Sequence, residues 1–411
     1  MEDSTSHRVV ITGTGVVSSI GVGTADFLAG LRSGRSEVRP ISAFDTTGFA
    51  QALGCEVVGF DPSEWIRETD LDTLGRASQF SVSAARMALD DAGLTPGELG
   101  LRDTLVTVGT TDGEARDLDA LVETELRQGP AAMAPHVAAR IPAGRLSAAV
   151  AYELGLSRVE AVTLPTACAA GNYAIGYAFD AIRAGDVDIA LCGGADAMCR
   201  KTFTGFYRIG TIAPERCQPF DKNRKGILTG EGAGMLVLES LESALARGAR
   251  IHAEVLGAGL NCDAHHPVAP DEDSIADCMR LALADAGVAP ADVDFISAHG
   301  TGTKANDVTE AAAVRRVYGA DTAPPTISMK SMLGHTMGAA SALASIGCVL
   351  AITEGFIPPT INHVETDPEC GLDCVPNEAV DSRPRIVQNN GLAFGGNNAV
   401  VVFGAYPEER R

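Results

Sequence analysis

Short apolar runs alternate with long Ala-rich periodic stretches along the chain, the pattern of an α/β protein. Val9 to Thr12, Leu105 to Val108, Val187 to Cys192, Met235 to Glu239, Val293 to Ser297, Thr326 to Ser328 and Ala399 to Phe403 are short, β-branched or aliphatic, and mostly bounded by Gly, Asp or Pro. They read as buried strands. Helical periodicity predicts helices over Ser78 to Ala92, Ala169 to Ala184, Ser274 to Ala286 and Asp307 to Tyr318, closed by Gly93, Gly185, Gly287 and Gly319. Each of these glycines can take the left-handed stop conformation. The helix before the strand at Val293 parallels the helix before the strand at Leu105, which suggests a duplication. The crossover between halves falls at Ala249 to Asn261, giving halves 1–250 and 251–411. Pro358 to Pro368 reads as an ordered loop anchored by Ile361.

At 411 residues the chain exceeds one simple core, which agrees with two halves. Its net charge of −21 argues against nucleic acid and anionic membranes, because phosphate binding needs a basic face. An acidic protein partner remains open through a local cationic patch, since salt screens the overall charge beyond roughly 10 Å. Arg200, Lys201, Arg208 and Arg216 form one such cluster in sequence, with a solvated loop as the plain alternative. Ten irregularly spaced cysteines read as reduced thiols of a cytoplasmic protein. The segment Met1 to Val10 lacks an apolar leader core, and the longest apolar stretch, Ser341 to Thr353, is too short to span a bilayer.

Gly13-x-Gly15-x-x-Ser18 resembles a dinucleotide fingerprint lacking its last glycine, but Gly21 and Gly23 follow at once and residues 30 to 36, where an acidic residue is wanted, read Gly-Leu-Arg-Ser-Gly-Arg-Ser. It is better read as a glycine-rich turn after an edge strand. Three other segments form a constellation. Thr166-Ala167-Cys168-Ala169 puts a cysteine where an extended stretch meets a helix, and there it is either a nucleophile favoured as thiolate by the helix start or a buried structural thiol. Ser297 to Thr303 puts His299 at the end of a strand entering a Gly-rich loop, with Asn306 or Asp307 as the cap of the following helix. Lys330 and His335 again follow a strand. One thiol, two imidazoles and an amine suit thioester chemistry. A zinc site would need a CxxC, HxxxH or HExxH spacing, and none occurs.

These motifs resemble the β-ketoacyl synthases of the thiolase superfamily, most closely the elongating type II enzymes of fatty-acid and polyketide synthesis. Thr166-Ala167-Cys168-Ala169 is similar to the nucleophile motif and His299-Gly300-Thr301-Gly302-Thr303 to the first histidine motif. Lys330-Ser331 with Gly334-His335 resembles the lysine and second histidine motif. The resemblance implies a duplicated five-layered αβαβα thiolase fold and decarboxylative condensation of an acyl group held on Cys168 with a malonyl-type extender. It implies His299, His335 and Lys330 as catalytic residues, and an oxyanion hole from the backbone of Cys168 and Phe394, with Phe394 as gate. Thr301, Thr303, Gly395 and Gly396 are implied substrate contacts. Acyl carrier protein would be the partner, in a homodimer or a heterodimer with a related subunit, and no metal or nicotinamide is needed.

Departures from the pattern carry expectations too. Ala344 stands where the family carries a glutamate that pairs with the lysine, so Lys330 is expected to lean on Glu310 or Asp307. Asp112 falls where an apolar residue would line the acyl pocket, unless Asp112-Gly113 is only a turn. A thiolase would need a second cysteine in the loop Asn390 to Asn398, an initiating synthase an Asn at position 335, and a chain-length factor no nucleophile. A ketosynthase-like acyltransferase or cyclase without decarboxylation is the remaining alternative.

Overall fold

The computed structural model describes residues 7–142 and 144–407, so the leaderless start read at Met1 to Val10 lies partly outside the described residues. The strands Val9–Ser18, Thr104–Gly109, Val159–Leu164, Ile189–Asp196 and Gly232–Ser240 lie side by side in the order third, second, fourth, fifth, first. Ala253–Cys262, Phe295–Ser297, Thr326–Ile327, Ile386–Leu392 and Asn397–Gly404 repeat that order in the second half. Directions repeat as well: the third, second and fourth strands of each half run parallel, while the fifth is antiparallel to both the fourth and the first. The duplication hinted at by two helix–strand pairs is therefore a property of the whole topology. The halves meet where Val9–Ile11 pairs antiparallel with Ala253–Val255.

Helices Ala170–Ala184 and Ala340–Glu354 touch strands of both halves and form the middle of five layers, α/β/α/β/α. Small residues permit this. A Cβ on Gly171 would come within 2.5 Å of the Ala342 nitrogen, so the two middle helices meet almost backbone to backbone. Ile346 and Val349 are fully buried there, each burial contributing about 1.5–3 kcal/mol. The apolar segment is longer than the sequence reading made it. Met337–Glu354 is long and apolar enough by composition to cross a membrane, but 83% of it is buried inside the protein. Arg76–Ala92 and Glu272–Ala286 cover the outer faces.

Several boundaries differ from the sequence reading for local reasons. Val9–Ser18 is one ten-residue central strand, so Gly13 and Gly15 are neither a turn nor next to an edge. A Cβ at either would lie 2.1 or 1.9 Å from the carbonyls of Ala88 and Ala84, which makes both glycines contact points for the covering helix. The expected crossover at Ala249 to Asn261 is mostly the strand Ala253–Cys262. Gly93, Gly185 and Gly287 do take left-handed stops, whereas Gly319 has φ 89° with an extended ψ of 144°. The loop at Pro358 to Pro368 is anchored as expected, Ile361 packing in the core with its N–H donated to Ser331 Oγ at 3.0 Å.

Candidate functional site

The extended strand Val159–Leu164 breaks at Pro165, and the chain makes a tight turn over Ala167–Ala169 before the helix Ala170–Ala184. Ala167 holds φ at 50°, a conformation that disfavours a side chain and costs of order 1–3 kcal/mol. The turn presents Cys168 at the head of the middle layer, 5% exposed. The second half repeats the device: Met337 has φ 52° in a turn over Met337–Ala339, with Gly338 where Cys168 stands. His335 lies just before that turn. Thiol and imidazole thus reach the same place by the same local geometry.

Cys168, His299, His335 and Phe394 line one open cleft of about 670 Å³, together with Thr301, Thr303 and Phe206. The two imidazoles stand edge to face, 5.5 Å between centroids at 81°. His335 Nδ1 accepts the Met337 N–H at 3.2 Å. Its neutral ring therefore carries the proton on Nε2. Lys330, buried, donates to the His299 carbonyl at 2.5 Å and lies 3.4 Å from His299 Nδ1. An ammonium beside Nδ1 makes that nitrogen an acceptor as well, leaving Nε2–H on both rings.

Burial first, then the Lys330 charge, hold both histidines well below the usual 6.5, so both are neutral at pH 7. Burial likewise lowers Lys330, against the pull of Glu310. The cysteine corrects an expectation. Desolvation pushes the Cys168 thiol up to about 12 despite the opposing Lys330 charge, so a thiolate at rest is not what this site favours.

Glu310 and Asp307 do not pair with Lys330. Glu310 accepts the backbone N–H groups of His299 and Gly300, both at 2.8 Å, and Asn390 Nδ2 at 3.0 Å. Asp307 accepts from Thr301 N at 3.0 Å and Phe220 N at 2.9 Å and lies 3.5 Å from the Arg224 guanidinium. Burial raises Asp307 to about 6. The two carboxylates hold the His299 loop by its backbone. Neither Asn306 nor Asp307 caps the next helix: Thr303 does, its hydroxyl accepting Asn306 N at 3.4 Å.

Three expected substrate contacts lie off the cleft wall. Gly395 and Gly396, at φ 84° and 82°, shape the turn behind Phe394. Asp112 sits in a turn closed by Gly113 N to Thr110 Oγ1 at 2.9 Å. Its carboxylate takes Lys201 Nζ at 2.5 Å and Thr202 Oγ1 at 2.7 Å. That ion pair removes Lys201 from the cationic cluster, and Arg200 is occupied by the Asp45 carbonyl at 2.5 Å and the Phe49 ring. Arg208 and Arg216 remain towards solvent. Phe206 went unnoticed in the sequence. It stands 6.2 Å from the His335 ring and 5.5 Å from Phe394, joining the two across the cleft, and a Phe within an ordinary amphipathic helix gave no signal of this.

Residues 6–244 match the family described as beta-ketoacyl synthase, N-terminal domain, and residues 252–364 its C-terminal domain. The chain belongs to the β-ketoacyl synthase family. It is 41% identical over 405 residues to Nodulation protein E of Rhizobium sp. (strain N33), covering 97% of this chain and 99% of that one. To 3-oxoacyl-[acyl-carrier-protein] synthase 2 of Synechocystis sp. (strain ATCC 27184 / PCC 6803 / Kazusa) it is 36% identical over 416 residues, covering 99% and 100%. The solved structure described as the ishigamide ketosynthase/chain length factor is 64% identical with a TM-score of 0.97, covering 98% of this chain and 100% of that one. As a β-ketoacyl synthase the chain is an acyltransferase that forms carbon–carbon bonds by decarboxylative condensation, with the thiolase fold expected from its motifs.

Proposed function

We propose that Cys168 is the acyl-accepting nucleophile and that His299 and His335 stabilise the enolate of a malonyl-type extender. The observation that carries this is the pair of neutral rings whose Nδ1 atoms are both engaged, leaving two Nε2–H donors on the cleft that holds Cys168. In the first half-reaction the Cys168 sulfur attacks the acyl thioester. Its proton passes to the departing pantetheine sulfur, which leaves as the free thiol. In the second, the extender loses CO₂ and the electron pair of the broken C–C bond becomes an enolate, its oxygen held by the two N–H groups. The enolate carbon attacks the acyl carbonyl, and Cys168 leaves and regains a proton.

Lys330 orders His299 through its carbonyl and Nδ1. Phe394, 38% exposed, is the gate, and its backbone N–H with that of Cys168 forms the hole for the tetrahedral oxyanion. Thr301 and Thr303, their hydroxyls 2.8 Å apart, face the pantetheine arm.

The substrates arrive on an acyl carrier protein, as the name of the Synechocystis relative supports, and no bound cofactor takes part. The ishigamide ketosynthase/chain length factor favours a polyketide pathway and pairing with a related subunit over a homodimer. The strand Val159–Leu164 ends the sheet with its outer edge unpaired among the described residues, and is the expected seam. The halves divide near 250/251, just before the strand that begins the second repeat. Ten free cysteines suit the reducing cytoplasm. Intact-mass spectrometry of the protein with acyl and malonyl carrier proteins tests the whole reading. A Cys168 adduct with CO₂ release and a two-carbon extension supports it, and loading without CO₂ release replaces it with simple acyl transfer.

A further inference from the structure

Asp196 ends the strand Ile189–Asp196 and is fully buried. Its carboxylate accepts four hydrogen bonds: Thr110 Oγ1 at 2.6 Å and Asp112 N at 3.0 Å on Oδ1, Thr111 N at 2.7 Å and Gly338 N at 2.6 Å on Oδ2. Three of these donors belong to the loop after Thr104–Gly109. The fourth comes from the other half of the duplication, in the turn that follows His335. Asp196 thus ties the two halves together beside the cleft.

That turn is under strain and closely packed. Met337 has φ 52°, which holds only where neighbouring contacts enforce it. A Cβ on Gly338 would lie 2.5 Å from Thr110 Cα, and one on Gly194 would lie 2.4 Å from the Gly338 carbonyl. Consecutive amides leave the turn for different acceptors, Met337 N to His335 Nδ1 and Gly338 N to Asp196 Oδ2. The two amides belong to adjoining peptide units hinged at Met337 Cα, so the enforced φ of Met337 couples their directions.

We propose that Asp196 is a positioning residue for His335: by holding Gly338 N it keeps the Met337 N–H on His335 Nδ1, and so fixes the proton on Nε2 facing the cleft. The inference rests on reading His335 as an N–H donor to the enolate. An amide cannot replace the carboxylate, because all four partners donate and Asn offers one accepting oxygen. Burial first, and then the charge of Asp112, raise Asp196 to about 7 against the hydrogen bonds that favour its carboxylate; the Asp112 side chain pairs with Lys201 and stays outside the tie to the turn.

The test compares wild type and Asp196→Asn in the full-length protein by ¹⁵N-histidine spectra at neutral pH, acyl loading of Cys168, and CO₂ release from malonyl carrier protein. Wild-type His335 should show the Nε2–H tautomer. In Asp196→Asn it should become mixed, with CO₂ release down about tenfold or more and loading changed by no more than about twofold. Should that variant fail to fold, Asp196→Glu, which keeps the charge and shifts the acceptor, takes the same three readings with the same expectation. An unchanged tautomer together with an unchanged ratio of CO₂ release to loading would overturn the inference. His335→Ala separates the two ideas: CO₂ release undiminished in that variant removes the donor role of His335, while the tautomer reading still judges Asp196.

Discussion

Lys330 Nζ donates to the carbonyl oxygen of His299 at 2.5 Å and stands 3.4 Å from Nδ1 of the same residue. The amine therefore acts on the imidazole twice, fixing its backbone and biasing its tautomer. Its charge also keeps both imidazoles from protonating, second only to their burial. Removing that charge should bring the histidine pKa values back up towards 6.5. In Lys330→Met the acid limb of the CO₂-release pH profile should move to higher pH. A limb that stays in place would show that the charge does not reach the rings.

The buried thiol gives a second pH signature. Because desolvation pushes Cys168 up to about 12, only a small thiolate fraction exists at neutrality. Alkylation of Cys168 by iodoacetamide, followed by peptide mass spectrometry, should rise about tenfold per pH unit from pH 6 to 9 without levelling. A plateau near pH 7 would mean that the turn at Ala167–Ala169 activates the sulfur far more strongly than its burial opposes. Cys168→Ala should abolish acyl loading altogether.

How far the sequence anticipated this site depends on where the information resides. Cys168, His299 and His335 were legible because each follows a strand in a motif with restricted neighbours, and the cleft unites them. The strand Ile386–Leu392 was missed because its Gln388, Asn389 and Asn390 lack the apolar or β-branched side chains that signal strands. Those side chains bond inward instead, Asn389 to Asn172 and Ser345, Asn390 to Glu310. Spacing along the chain carries no trace of such partners. The same limit misplaced Glu310, whose real acceptor role is towards the backbone of His299, and hid Asp196, whose fourth donor lies 142 positions away.

The surviving cations make a narrower prediction about the carrier protein. Arg208 and Arg216 face solvent, while Lys201 is held by Asp112 and Arg200 by Asp45. Reversing both exposed charges, Arg208→Glu with Arg216→Glu, the latter paired only with its exposed neighbour Glu215, should raise the apparent KM for acyl carrier protein by about threefold or more at low salt and flatten its salt dependence. Reversing Lys201 instead should chiefly disturb the turn around Asp112. Equal KM values for the double variant and wild type at low salt would place the docking face elsewhere.

The two half-reactions place unequal demands on the histidines, and this separates condensation from acyl transfer. Loading Cys168 requires an oxyanion hole, which the backbone at Cys168 and Phe394 provides, and the passage of one proton from Cys168 to the departing sulfur, which does not call on His299. Decarboxylation builds an enolate whose charge needs both Nε2–H donors, and losing one such donor typically costs about 10²- to 10³-fold. His299→Ala also leaves the His299 loop in place, because Glu310 and Lys330 hold that loop through backbone atoms. The variant should accordingly load acyl groups at close to the normal rate yet release CO₂ from malonyl carrier protein about a hundredfold more slowly. Parallel loss of both activities would instead give His299 a part in thiol attack as well as in decarboxylation.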